Sequence, residues 1–127
     1  MNIENITLLV SLLLLIQIFM PLTIETVFIK KIDLQYLFSP RDSIIEHSLF
    51  YKRGKRALAN LLETLPLFIL LILISTFKNV DNSNLAVLWV ILRLIYVPLY
   101  IFGINYARTI IWVGSLVCLI FMAIKFL

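Results

Sequence analysis

The chain has 127 residues, 62% of them hydrophobic and only 14% charged, and its formal net charge is +4. That balance excludes an ordinary soluble domain and leaves room for about four spans of roughly 20 residues each. A single cysteine and a single histidine exclude an intrachain disulfide and form no zinc constellation, so no metal is expected.

The positive charge is not spread over a soluble face. Seven of the eleven Lys and Arg residues fall between Lys30 and Arg56. In a membrane protein such a cluster reports topology through the positive-inside rule, and no nucleic-acid partner is expected. Lys30, Lys31 and Lys52 read as solvated loop residues in contact with anionic membrane lipid. Polar groups inside so small a bundle also need a surface that shields them from lipid, so oligomerisation is expected.

In chain order, the first span runs from about residue 6 to 28. It is too long for the core of a signal peptide and lacks a basic region before it, so it reads as a retained helix. Pro21 is placed to bend it, and Glu25 lies about one turn from its end. A polar connection, Ile29 to about Gly54, carries Ser39-Pro40-Arg41-Asp42 and is long enough to cover a site mouth. The second span covers about 56–77, with Pro66 inside it. A short turn leads to the third span, about 85–104, and the last runs from about 107 to 126, entered through Arg108. The long basic loop and the Asn105–Arg108 turn fall on one side, expected to be cytoplasmic, with both termini on the opposite face. The fold class predicted is all-α, an integral membrane four-helix bundle forming one domain.

The informative residues are polar ones inside apolar helices. Arg53, Arg56, Asn60 and Glu63 recur at spacings of three, four and three, within a stripe roughly 80° wide. Arg93, Tyr96 and Tyr100 form a second stripe in the third span. An Arg near a helix centre costs about 2.5–3.5 kcal/mol on insertion scales, so Arg93 and Glu63 are expected to compensate each other. Two such stripes face to face would make a cleft of guanidinium and phenol donors with one carboxylate and one amide. Guanidiniums hold carboxylates by paired hydrogen bonds, which suits a small zwitterionic, net-anionic ligand. An interhelical salt bridge that only fixes packing is the alternative on spacing alone. Cys118 sits in an apolar run and reads as a small hydrophobe.

The stretch Arg53-Gly-Lys-Arg-Ala-Leu-Ala-Asn-Leu-Leu-Glu63, followed by Thr-Leu-Pro-Leu-Phe, resembles the signature of the MAPEG family, the membrane-associated proteins in eicosanoid and glutathione metabolism. The matching positions are Arg56, Ala57, Asn60, Glu63, Pro66 and Phe68. The run from Leu92 to Tyr100 is also similar, Arg108 stands where a fourth helix begins, and Ser39-Pro40-Arg41-Asp42 resembles the loop of bacterial members. The resemblance covers nearly the whole chain. It implies a homotrimer, a bacterial inner-membrane location, and glutathione as thiol co-substrate bound between subunits near the cytoplasmic side. By position, Arg53, Arg56, Asn60, Glu63, Arg93, Tyr96 and Tyr100 would bind the tripeptide, and Arg108 would stabilise its sulfur as a thiolate. Leu58 and Thr64 depart from the resemblance, at positions where well-studied animal members often carry polar or aromatic ligand contacts.

The function implied is a membrane-bound glutathione transferase or peroxidase acting on a lipophilic electrophile or hydroperoxide. Two other classes remain open. One is a noncatalytic lipid- or partner-binding protein of the same fold. The other is a small proton-coupled transporter, for which Glu25 and Glu63 are the acids at or near membrane depth.

Overall fold

The computed structural model describes residues 2–30 and 32–127, so Lys31 of the basic loop lies outside the described residues. Helix α1 spans Ile3–Thr23 and continues as a π-helical turn, Ile24–Phe28. A five-residue helix, α2, Leu34–Phe38, interrupts the loop. Then follow α3, Leu49–Lys78; α4, Ser83–Phe102; and α5, Asn105–Ile124. Four of these segments are long and apolar enough to cross a membrane, and the protein is an integral membrane protein of all-α class.

Helix α3 begins and ends for local reasons. Ser48 caps α3, its side chain accepting the Tyr51 amide at 3.2 Å. Asn79 ends α3 in the left-handed conformation, with φ of 54°. Helix α3 therefore starts two turns before its apolar run, and Tyr51 to Arg56 form a basic extension at the loop end. Asp81 orders the turn into α4 by accepting the Ser83 hydroxyl at 2.5 Å and the Ser83 amide at 2.9 Å. Those bonds from Ser83 hold the Asp81 carboxyl below the usual carboxylate range.

Between 22 and 39% of each apolar span is buried, so most of the helical surface is left for lipid or a neighbouring chain. What is buried divides by depth. The apolar core lies toward the termini, where Ile6 and Val10 of α1 meet Phe68, Trp89 and Met122. Phe68 and Trp89 stack with centroids 4.1 Å apart. Beneath them Asn82 ties α4 to α3 and α5 through Ser75 Oγ (2.9 Å) and the Met122 carbonyl (3.3 Å). The loop half of the bundle holds Gln17, Glu25, Thr64, Arg93 and Tyr96.

At the loop end α1 and its π-helical turn both meet the start of α3. Pro21 has no amide to donate, so the helical ladder is already broken there. The Ile29 amide then bonds the Ile24 carbonyl at 3.0 Å, a five-residue step. Glu25, inside this turn, is fully buried. Its Oε1 accepts the Ser48 amide at 2.6 Å and its Oε2 lies 3.5 Å from His47 Nδ1, which stacks on Tyr51. A carboxylate at the first amide of α3 also complements that helix's dipole.

Glu25→Leu is expected to destabilise the protein by about 1–3 kcal/mol, because a buried amide loses its acceptor. Glu25→Gln, which keeps an oxygen for Ser48, is expected to cost less. Thermal unfolding in detergent reads both; equal melting temperatures for wild type and Glu25→Leu would show that the contact holds nothing.

Candidate functional site

The buried face of α3 follows Gly54, Ala57, Leu61, Thr64 and Phe68, not the charged stripe. The stripe of Arg53, Arg56, Asn60 and Glu63 lies one residue round from it, about 100° away. Arg56 and Glu63 are consequently exposed, while Arg53 and Asn60 are half-buried. On α4 the register is different. Arg93 and Tyr96 lie on the buried face itself, with Tyr100 half-buried one turn on.

The expected Arg93–Glu63 pairing within the chain is therefore corrected. Arg93 is 1% exposed and donates through Nη2 to Thr64 Oγ1 at 2.6 Å. Thr64 is the neighbour of Glu63 that turns inward, so the guanidinium meets the hydroxyl, while the exposed Glu63 forms no ion pair with it. The guanidinium carbon also lies 5.3 Å from the Trp89 ring and 5.7 Å from the Tyr96 ring. Such positions over ring faces attract a cation electrostatically.

Above Arg93, toward the loop end, a cavity of about 280 Å³ is lined by Asn60, Tyr96, Tyr100, Arg108, Thr109 and Trp112. Three helices build it. Tyr96 and Tyr100 stand one turn apart on α4, with ring centroids 5.5 Å apart and planes tilted by 59°. Arg108, in the first turns of α5, places its guanidinium carbon 4.7 Å from the Tyr100 ring centroid. Four residues singled out in the sequence thus share one cavity, and Arg53, Arg56, Glu63 and Arg93 do not line it. Arg53 instead donates through Nη1 to the Ile101 carbonyl at 3.0 Å.

A family model described as the MAPEG family matches residues 6–127. The chain belongs to the MAPEG family. No curated protein and no solved structure matches it.

In this MAPEG protein three site residues carried no signal in the stripes. Trp112 joins Arg108 at the cavity because positions i and i+4 share a helix face, and Thr109 joins Trp112 at the i, i+3 spacing. The Trp112 indole nitrogen is buried without a protein partner among the described residues and so offers a free donor. Thr64, outside both stripes, accepts the Arg93 guanidinium. The short run Ser39-Pro40-Arg41-Asp42 is exposed and stands away from the cavity lining.

Thr64→Val removes the one hydrogen-bond acceptor that Arg93 has among the described residues and is expected to cost about 1.5–3 kcal/mol, the range for bonds to charged groups. Thr64→Ser keeps the hydroxyl and should unfold close to wild type. Chemical or thermal unfolding of the two variants in the same detergent checks this, and equal losses would point to lost packing by the methyl group.

Proposed function

We propose that the protein is a membrane-bound glutathione transferase or peroxidase, in which glutathione is activated as its thiolate for attack on a lipophilic substrate. The observation that carries this is the convergence of Arg108, Tyr96, Tyr100 and Asn60 on one cavity at the loop end of the bundle. A free thiol with a pKa of about 8.5 is mostly protonated at neutral pH, and a nearby cation favours the thiolate. Among the described residues Arg108 is the one cation lining the cavity.

Arg108 would hold the sulfur as an anion once its proton has passed to solvent. Tyr96 and Tyr100 would donate to the tripeptide, and Asn60 would meet its polar groups. In a transfer, the new carbon–sulfur bond forms as the electrophile's bond to its leaving group breaks, and the leaving group takes up a proton. With a hydroperoxide, the sulfur takes the terminal oxygen and the released alkoxide is protonated to an alcohol. A second glutathione then reduces the sulfenate, giving the disulfide and water.

Arg56 and Glu63 enter this reading through assembly. Both are exposed on an apolar helix, and charges at membrane depth need shielding. A homotrimer would cover them with a neighbouring chain and bring them to the ligand from the subunit boundary. The loop end would face the cytoplasm of a bacterial inner membrane, with both termini opposite, as its cluster of Lys and Arg favours.

A second reading has a specific feature in its favour. An apolar groove of about 210 Å³ between α1 and α3 runs along Val10, Leu14, Phe68, Ile69 and Leu73. It suits a noncatalytic lipid- or partner-binding protein of the same fold. Proton-coupled transport has less support, because the Glu25 carboxylate is engaged by the Ser48 amide.

A glutathione titration that follows the ultraviolet absorbance of thiolate tests the proposal. Arg108→Ala is expected to cut the thiolate fraction at neutral pH by about tenfold or more while leaving glutathione affinity within about threefold. Absence of any signal with the wild-type protein at millimolar glutathione would favour the noncatalytic reading.

A further inference from the structure

Arg53 lies across the end of α4, away from the cavity. Its Nη1 donates to the Ile101 carbonyl at 3.0 Å, one of the last four carbonyls that a helix leaves without internal donors. A cation there also complements the helix dipole. Gly103 ends the helix with φ of +76°, in the left-handed region that suits glycine. Its amide bonds the Tyr100 carbonyl at 3.2 Å, and the Ile104 amide bonds that of Leu99 at 3.0 Å.

The guanidinium is laid against this turn. A Cβ on Gly103 would stand 2.9 Å from both Nη1 and Nη2 of Arg53. The missing side chain is therefore the space that Arg53 occupies. Immediately beyond, Ile104 caps α5, and its carbonyl accepts the Arg108 amide at 3.1 Å. Tyr100, the turn and Arg108 thus form one short mechanical unit, and Arg53 of α3 is bonded to its α4 side, at Ile101.

We propose that Arg53 is a positioning residue that sets the placement of the Arg108 guanidinium through the α4–α5 turn, and that it does not itself hold the thiol substrate. This deepens the thiolate reading above and rests on it for its chemical readout. The attraction between a guanidinium and a thiolate falls with their separation. A turn released from Arg53 therefore costs thiolate stabilisation while leaving the residues that bind the rest of the ligand in place. Lysine keeps the charge and one donor but not the planar fork, so it restores the contact only in part.

The test uses the full-length protein in detergent with its Arg53→Met, Arg53→Lys and Gly103→Ala variants. Each is titrated with glutathione from about pH 5 to about pH 9, and thiolate absorbance gives both the half-saturating concentration and the midpoint pH. Hydrogen exchange of the Gly103–Arg108 amides is measured on the same samples. For Arg53→Met the midpoint is expected to rise by about one unit, about tenfold less thiolate near neutral pH, with half-saturation shifted less than about threefold and faster exchange in the turn. Arg53→Lys should fall between. Gly103→Ala, which displaces the guanidinium and also strains the turn at φ +76°, should move the midpoint the same way; Arg53→Lys, which leaves the turn's backbone untouched, decides the matter if Arg53→Met does not fold.

Binding weakened about tenfold or more at an unchanged midpoint would overturn the proposal, making Arg53 a ligand contact. Unchanged midpoint and unchanged exchange would overturn it as well. A wild-type protein that forms no thiolate sinks the glutathione reading instead. Exchange then decides for the turn alone: faster in Arg53→Met supports the positioning role, and unchanged exchange ends it.

Discussion

A guanidinium carries five N–H donors and stays charged at any pH a protein meets, while hydrocarbon offers it no acceptor. Arg93 sits under that constraint at 1% exposure, inside a membrane-spanning helix. Its environment is assembled from three neighbours. Thr64 accepts one donor, and the ring faces of Trp89 and Tyr96 supply negative potential on either side. Each neighbour then dictates something further. Trp89 is fixed by its stack on Phe68, which begins the dry core toward the termini. Tyr96 opens the other way and forms the floor of the polar cavity. Arg93 is thus the boundary between an apolar half and a polar half of the same bundle.

The polar half needs its own anchor, because hydrophobic packing alone does not fix helices surrounded by lipid. Two contacts supply it. The Pro21 ring lies 3.1 Å from where a Cβ on Gly54 would stand, so α1 and α3 approach as closely as a glycine allows. One turn further on, the buried Glu25 takes the first amide of α3. Glu25 continues the inward face of α1 marked by Gln17 and Pro21, at successive i+4 positions, and the π-helical turn carries it at the start of α3. Helix α3 is held at its start by α1 and, through Arg53, bonded to the end of α4. The cavity is framed by those attachments.

Much of this was legible in the residues, and where legibility failed the reason is geometric. Hydropathy and the placement of Pro and Gly gave four helices, because lipid forces long apolar runs to be helical. Spacing on α4 gave the true inward face, since Arg93 and Tyr96 are indeed buried. Spacing on α3 gave a face too, but periodicity says which residues share a side and not which way that side points. The charged stripe and the packed face differ by a single residue, and the inward polar group is Thr64. The cavity wall of Thr109 and Trp112 was not visible, because a threonine and a tryptophan at a helix start have no periodic pattern of their own. Nor could spacing reveal that Arg53 meets a carbonyl forty-eight positions away, a contact set by the α4–α5 turn.

That one-residue offset on α3 has a consequence for the ligand. The polar groups fall into an inner set, Tyr96, Tyr100 and Arg108, and an outer set, Arg56 and Glu63. Asn60 is half-buried and belongs to both, since it lines the cavity from the charged stripe. A small ligand that touches both sets must pass Asn60 and lie at the edge of the chain, with one end inside the cavity and the other on the exposed flank of α3. In lipid that flank has to be covered, because Arg56 and Glu63 find no ion-pair partner among the described residues of their own chain. The geometry of a single chain therefore supplies a polar cavity with Arg108 in its wall, beside a flank of α3 on which the charges of Arg56 and Glu63 stand uncovered.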